Sequence, residues 1–176
     1  MSVVMKTALA SMVLLAISAS GVQAAGGSGQ ITFQGEIMDS ACAIKPGSSD
    51  QTITLAQVAK SQLSTGGVSP TETFQIELVG CDQGTLTNKT VTATFTGPGS
   101  ADVTGALGIV GTAGGAGIMM VDGSGKAITL GAATTAQQFQ NNNNTLSFGA
   151  YLKGKATGTI TPGDFSAVTN FSLAYQ

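Results

Sequence analysis

Apolar and polar residues alternate along several short segments of this chain, which is the pattern of β-strands with one face in a core. The turns between these segments are rich in Gly, Ser, Thr and Asn, and no segment keeps a helical period with caps. Short strands at such spacing are typical of a β-sandwich. We predict strands over residues 31–37, 52–58, 73–79, 90–96, 118–121, 127–130, 146–152 and 171–175.

Two connections between these strands have a distinctive composition. Residues 122–125 read Asp-Gly-Ser-Gly, which supplies the positive-φ positions of a β-hairpin turn. Residues 141–144 are four asparagines, which we interpret as a solvated loop.

The first 24 residues predict a secretory signal peptide. Lys6 is the positively charged start, residues 8–19 are apolar apart from small serines, and Val22-Gln23-Ala24 fits a cleavage site. A membrane anchor is the weaker interpretation, because a span needs about 20 predominantly apolar residues. We therefore expect the mature chain to begin at Ala25.

Only two cysteines are present, Cys42 and Cys81. Export to an oxidising compartment favours a disulfide over the alternative of two buried thiols. A loop of this size would stabilise the fold by roughly 4 kcal/mol on the chain-entropy model.

Composition excludes several classes of function. The 176 residues contain no histidine and no arginine, and seven lysines face nine acidic residues. Without histidine there is no Ser-His-Asp triad and no histidine ligand for a metal, and a negative chain without arginine is a poor partner for nucleic acid. Loss of Lys6 with the leader leaves six lysines and a net charge of −3. We expect no enzyme activity, no cofactor and no metal.

The N-terminal strand lies in an unusual place, before the first cysteine and behind the glycine-rich residues 25–30. Gly29, Ile31 and Phe33 share one face of it. An apolar face of this kind must dock, either on its own domain or on another copy, where backbone pairing would make it a β-augmenting strand.

With these features the chain resembles the structural pilins of the bacterial chaperone–usher pathway, and most of all the type 1 major fimbrial subunits. The resemblance covers nearly all of the mature chain. It includes the leader and the C-terminal pattern of Gly163, fourteenth from the end, with penultimate Tyr175. The other matching segments are residues 29–37, 41–43, 74–78 with Cys81, 118–130 and 171–176.

The resemblance implies an all-β, incomplete immunoglobulin-like sandwich that lacks its last strand and is completed by a donor strand from another subunit or a chaperone. It divides the chain into a signal peptide (1–24), an N-terminal donor-strand extension (25–36) and a pilin domain (37–176). It assigns the donor side chains to Gly29, Ile31 and Phe33, with Gly29 where the groove is shallow. It assigns the acceptor and chaperone-binding strand to Gly163, Phe171, Leu173, Tyr175 and Gln176.

The implied function is that of a structural pilin, which polymerises head to tail into a surface fimbrium supporting cell adhesion. The implied partners are other pilin subunits, a periplasmic chaperone that holds the Gln176 carboxylate, and an outer-membrane usher, with no stable membrane insertion. Alternatives are a minor adaptor or terminating subunit of the same fimbrium, a carbohydrate-binding adhesin module, and, most remotely, an exported hydrolase. The arm argues against a terminator, and 152 mature residues are too few for an added lectin domain.

Overall fold

The computed structural model describes residues 29–84 and 86–176, so the expected signal peptide lies outside the described residues. The chain divides between Glu36 and Ile37, and all the strands found among the described residues lie in the second unit, Ile37–Gln176. No helix of the described residues is long and apolar enough to cross a membrane. The elements are β1 (Ala43–Ile44), α1 (Lys60–Leu63), a 3-10 turn (Ser64–Gly66), β2 (Glu72–Cys81), β3 (Thr90–Thr96), β4 (Leu107–Gly108), β5 (Val110–Gly111), β6 (Ala116–Asp122), β7 (Gln137–Gln138), β8 (Asn142–Gly154), β9 (Phe165–Ser166) and β10 (Asn170–Tyr175).

Two antiparallel sheets form the body of this second unit. One has the order β1-β2-β8-β6-β4, and the other has the order β10-β3-β7. The short strands β5 and β9 pair antiparallel as a separate two-stranded sheet. The mostly β fold confirms the predicted fold class.

The inward residues of the two larger sheets pack against each other in one core. Ile76 and Leu78 of β2 and Val91 and Phe95 of β3 are each almost completely buried in it. The ring of Phe95 meets that of Phe148 on β8 edge-on, with centroids 5.1 Å apart. The alternation along residues 73–79, 90–96 and 146–152 therefore correctly predicts which side chains enter the core.

The disulfide is confirmed. Cys42 and Cys81 are bonded, with Cα atoms 4.1 Å apart, and both side chains are buried in the main core. The bond joins the segment just before β1 to the end of β2. It therefore fixes the start of the second unit to one of its longest strands.

Three of the predicted strands differ from the structure. Residues 31–37 and 52–58 form no strand in the single chain. Residues 127–130 contribute only one bridge, from Ala127 to Val121, although the hairpin turn before them is present. Strands need backbone partners, and alternation of side chains alone does not supply one.

The turn at residues 122–125 is held by a carboxylate and not mainly by glycine. Of these four residues only Gly125 has a positive φ, of 82°. The Asp122 Oδ1 atom accepts hydrogen bonds from the Ser124 N–H (3.0 Å), the Ser124 hydroxyl (2.6 Å) and the Lys126 N–H (3.0 Å). Burial would raise the pKa of Asp122, but these hydrogen bonds and one with Thr135 lower it to about 2.

The prediction of a loop over residues 141–144 is wrong, because β8 begins at Asn142. Asn142 and Asn144 lie in register with Cys81 and Leu78 of β2, so their backbones join the sheet. The Asn144 side chain also holds the turn before β8, since its Oδ1 accepts a hydrogen bond from the Gln140 N–H at 2.8 Å. The side chains of residues 141–143 are exposed and that of Asn144 is half-buried, so the polar composition reflects side chains at the surface of a paired strand.

Candidate functional site

The last strand, β10, ends its sheet with one edge paired and one edge free. It pairs antiparallel with β3 from Asn170↔Thr96 to Tyr175↔Val91. No other described residue of Ile37–Gln176 is paired with its second edge. Exposed edges of this kind are templates for pairing with another strand.

The hydrogen bonds at the end of β10 show which residues face the free edge. The Thr90 N–H donates to the Gln176 carbonyl at 3.0 Å, and the Gln176 N–H donates to the Thr90 carbonyl at 2.9 Å. Residues of an antiparallel pair bond in alternation, so the even-numbered residues of β10 bond to β3. Phe171, Leu173 and Tyr175 therefore direct their N–H and C=O groups to the free edge.

The same three residues carry the apolar face of β10. Each is half-buried and packs against the main core, whereas Asn170, Ser172 and Ala174 are exposed. The ring of Phe171 lies 6.2 Å from that of Phe95, and the ring of Tyr175 lies 5.5 Å from that of Phe139. Burial raises the pKa of the Tyr175 phenol, although a side-chain hydrogen bond with Ser40 opposes the change. The free edge thus combines unpaired backbone with incompletely covered apolar side chains.

Gly163 does not lie on β10 but before β9, against the segment that follows β5. A Cβ atom there would collide with the Thr112 hydroxyl and come within 2.7 Å of the Ala113 nitrogen. The Asp164 carbonyl accepts hydrogen bonds from both Thr112 and Ala113, at 3.0 and 3.1 Å. Gly163 therefore allows the close approach that fixes the path of the chain toward β10.

The N-terminal arm, residues 29–36, belongs to the first unit, which ends at Glu36. Ile31 and Phe33 are 78% and 89% exposed, and all the residues of the arm are exposed. The glycines have open surroundings, since a Cβ atom at Gly29 or Gly35 would meet nothing within 4 Å. The arm carries an apolar face without a core of its own.

Ile37 lies in the predicted alternating segment 31–37 but is not among the predicted donor side chains, although it is 103% exposed. The predicted strand at residues 52–58 also needs correction. Residues 52–58 have no strand partner, yet Leu55 packs on the same core as β10 and Val58 packs on a second apolar cluster. The predicted strand at 52–58 is thus an apolar segment whose backbone does not pair with another strand.

Comparisons with known proteins identify the family of this chain. A family model described as "Fimbrial protein" matches residues 31–176. The chain is 45% identical over 172 residues to the Fimbria A protein of Serratia marcescens, covering 97% of this chain and 98% of that protein. It is 41% identical over 164 residues to the Major MR/P fimbria protein of Proteus mirabilis (strain HI4320), covering 93% of each.

A solved structure of a chaperone–usher pilus contains a similar fold. Its chain superposes with a TM-score of 0.76 at 34% identity, covering 85% of this chain and 96% of that one. The family match and the relatives span most of the chain, including the arm from residue 31 and the whole of β10. The chain therefore belongs to the family of fimbrial proteins.

Proposed function

We propose that this protein is a structural pilin whose arm pairs with the free edge of β10 in the next subunit. One observation carries the proposal. A strand edge that combines unpaired backbone with a half-covered apolar face exists in the same chain as an exposed, alternating apolar arm. Edge pairing of this kind is β-augmentation, in which backbone bonds give affinity and alternate side chains fill pockets.

The apolar residues of the arm and of β10 both recur at every second position, which fits such pairing. Phe171, Leu173 and Tyr175 present both inward side chains and free backbone groups, so an antiparallel partner must place its apolar residues directly opposite them. Ile31 and Phe33 have the required spacing of two. Antiparallel pairing is favoured because every ladder of the two larger sheets is antiparallel and such pairs are the more stable per residue. The register we propose is Phe33 beside Phe171, Ile31 beside Leu173 and Gly29 beside Tyr175.

The size of the side chains favours this register over one shifted by two residues. The Tyr175 ring packs at 5.5 Å from Phe139 and so already occupies the space at its end of the strand. A position without a side chain, Gly29, therefore suits the place opposite it. At the other end the same register brings Ile37 beside Ala167.

Residues 52–58 form the second wall of the groove in this proposal. Leu55 and β10 contact the same core, and Ile53 remains 37% exposed. An arm between them would cover both sides. Burial of each apolar side chain contributes about 1.5–3 kcal/mol, which offsets the weakness of a sandwich with a strand missing.

The arm and the groove are different surfaces of one chain, so their contact is heterologous. Contacts of this type build an open filament when the rotation between subunits does not close a ring. The chain is thus a structural subunit of a chaperone–usher pilus, exported through the periplasm to the cell surface. We assign it no catalytic role, in keeping with the absence of histidine and the scattered acidic residues.

Before assembly, a periplasmic chaperone would cover the free edge and hold the Gln176 carboxylate, and the outer-membrane usher would exchange the chaperone strand for an arm. Residues 1–24 are the export signal and residues 25–36 the donor extension in this scheme. Adhesion is then indirect, through the shaft that carries the adhesive tip.

A pair of charge substitutions on the arm tests the proposal. Ile31→Asp places a carboxylate on the face that enters the groove, and the matched control Thr32→Asp places one on the opposite face. We expect normal subunit levels for both, fibres for Thr32→Asp and no fibres for Ile31→Asp by electron microscopy. Equal fibre yields from the two variants would refute the assignment of the arm.

A further inference from the structure

Two valines form an exposed apolar patch beside the start of β10. Val110 on β5 is 64% exposed and Val168 is 73% exposed. Val110 lies opposite Ser166 in the β5–β9 pair, so the two share a face. Burial alternates without a break from Phe165 to Tyr175, which puts Val168 on the same face as Ser166. We call Val110 and Val168 the valine patch.

The edge of β9 that would continue the groove is also free. β5 bonds to even-numbered residues of this segment, as the Thr112 N–H to the Asp164 carbonyl shows at 3.0 Å. β3 bonds to even-numbered residues of β10, so β5 and β3 lie on the same edge. The opposite edge therefore runs free from Phe165 to Tyr175 among the described residues of Ile37–Gln176.

The proposed register places one more apolar side chain at this patch. With Phe33 beside Phe171, Met38 of the arriving subunit comes beside Ser166, on the outer face. Diagonal neighbours across antiparallel strands are about 7–8 Å apart, which a long side chain can bridge. Met38 is 51% exposed in its own chain and is flexible enough to fit an irregular apolar surface.

We propose that Met38 of the donating subunit docks on the valine patch of the accepting subunit. This inference rests on the proposed donor-strand pairing and extends it to the outer face of the sheet. The occupant is a second copy of this chain, because the patch is continuous with the proposed interface and the proposed register brings Met38 of the arriving subunit to it. We call this contact between Met38 and the valine patch the clasp. It slows dissociation of the arm, since changes at one interface act mostly on the dissociation rate.

A double-mutant cycle in assembled fibres tests the clasp. The variants are Met38→Gln, Val168→Thr and the pair, each chosen to keep the size of the side chain while making it polar. Val68→Thr is the control, because Val68 is 46% exposed and bridges to Lys153, away from the free edge. The readout is the rate at which fibres release subunits at a fixed guanidinium concentration.

All four variants should form fibres. Each single change at the clasp should raise the release rate about 2- to 5-fold, and the double variant should exceed the larger single effect by little, because the two residues share one contact. Val68→Thr should leave the rate unchanged.

Two results would overturn the clasp. One is a release rate insensitive to Met38→Gln. The other is a double variant whose effect is the product of the singles, which would mean that the valine patch contacts a different surface. Either result leaves fibre formation and its dependence on Ile31 intact, whereas fibres that ignore Ile31→Asp would remove the donor-strand proposal itself.

Discussion

Truncation of Phe33 separates the stability of the subunit from the stability of the fibre. The side chain is 89% exposed in the single chain, so Phe33→Ala should change the unfolding free energy of the lone subunit by less than about 0.5 kcal/mol. In the fibre the ring would be buried beside Phe171. Removing a buried phenylalanine side chain costs about 3–5 kcal/mol, or roughly a factor of 100 or more in the dissociation constant of the arm.

The assay compares two measurements on the same variant. Thermal unfolding of the purified subunit gives the first, and the rate of subunit release from fibres in guanidinium gives the second. Thr32→Ala is the matched control, since this neighbour lies on the opposite face of the arm and should leave both quantities unchanged.

The outcome that refutes the reasoning is a Phe33→Ala fibre that releases subunits as slowly as the unmodified one. Loss of stability in the lone subunit would also count against it, because that would place Phe33 in the core of its own chain. The account requires the effect to appear only after assembly.

Three further predictions concern the subunit itself. Replacing Cys42 and Cys81 by alanine should lower the unfolding free energy by about 4 kcal/mol, given their separation of 39 residues, and an unchanged denaturation midpoint would contradict this. The pKa of Asp122 is lowered from 3.8 to about 2 on folding, so it contributes up to about 2 kcal/mol above pH 3.8 that is lost as the pH falls toward 2. Asp122→Asn should remove that dependence, and identical acid titrations of the two proteins would exclude it. Gly163→Val should lower the melting temperature because the neighbouring loop leaves no room for a Cβ, whereas Gly99→Val, at an open position, should have a smaller effect; equal effects would argue against the packing role.

Alternation succeeded in predicting strands whose partners lie in the same subunit. Residues 73–79 and 90–96 became β2 and β3 because β8 and β10 supply their ladders. Residues 31–37 show the same alternation, and residues 52–58 are a second predicted run, but neither segment forms a strand. A pattern of side chains indicates which face of a segment packs on a core. It does not indicate whether another strand is available to pair with the backbone.

The asparagine run shows the opposite error. Its composition indicated a loop, yet Asn142 and Asn144 pair with β2 across a register shift between Leu78 and Cys81. Asn142 takes a positive φ of 79°, a conformation that asparagine tolerates better than most residues. Local composition could not show this, because the pairing depends on a strand about 60 residues away in the chain.

The site itself was only partly visible in the sequence. The apolar faces of the arm and of β10 follow from period two, and Phe171, Leu173 and Tyr175 lie on the predicted face. The free edge could not be read from side chains, since it depends on which neighbour β10 lacks. The place of Gly163 beside Thr112 likewise depends on a long-range approach of two loops.

The structure of the assembled fibre at near-atomic resolution is the most direct test of the account. We predict that residues 29–37 of each subunit run antiparallel beside β10 of its neighbour, with Phe33 next to Phe171. A fibre in which the second edge of β10 is paired within its own subunit, or is covered by anything other than the neighbour's arm, would contradict the central claim.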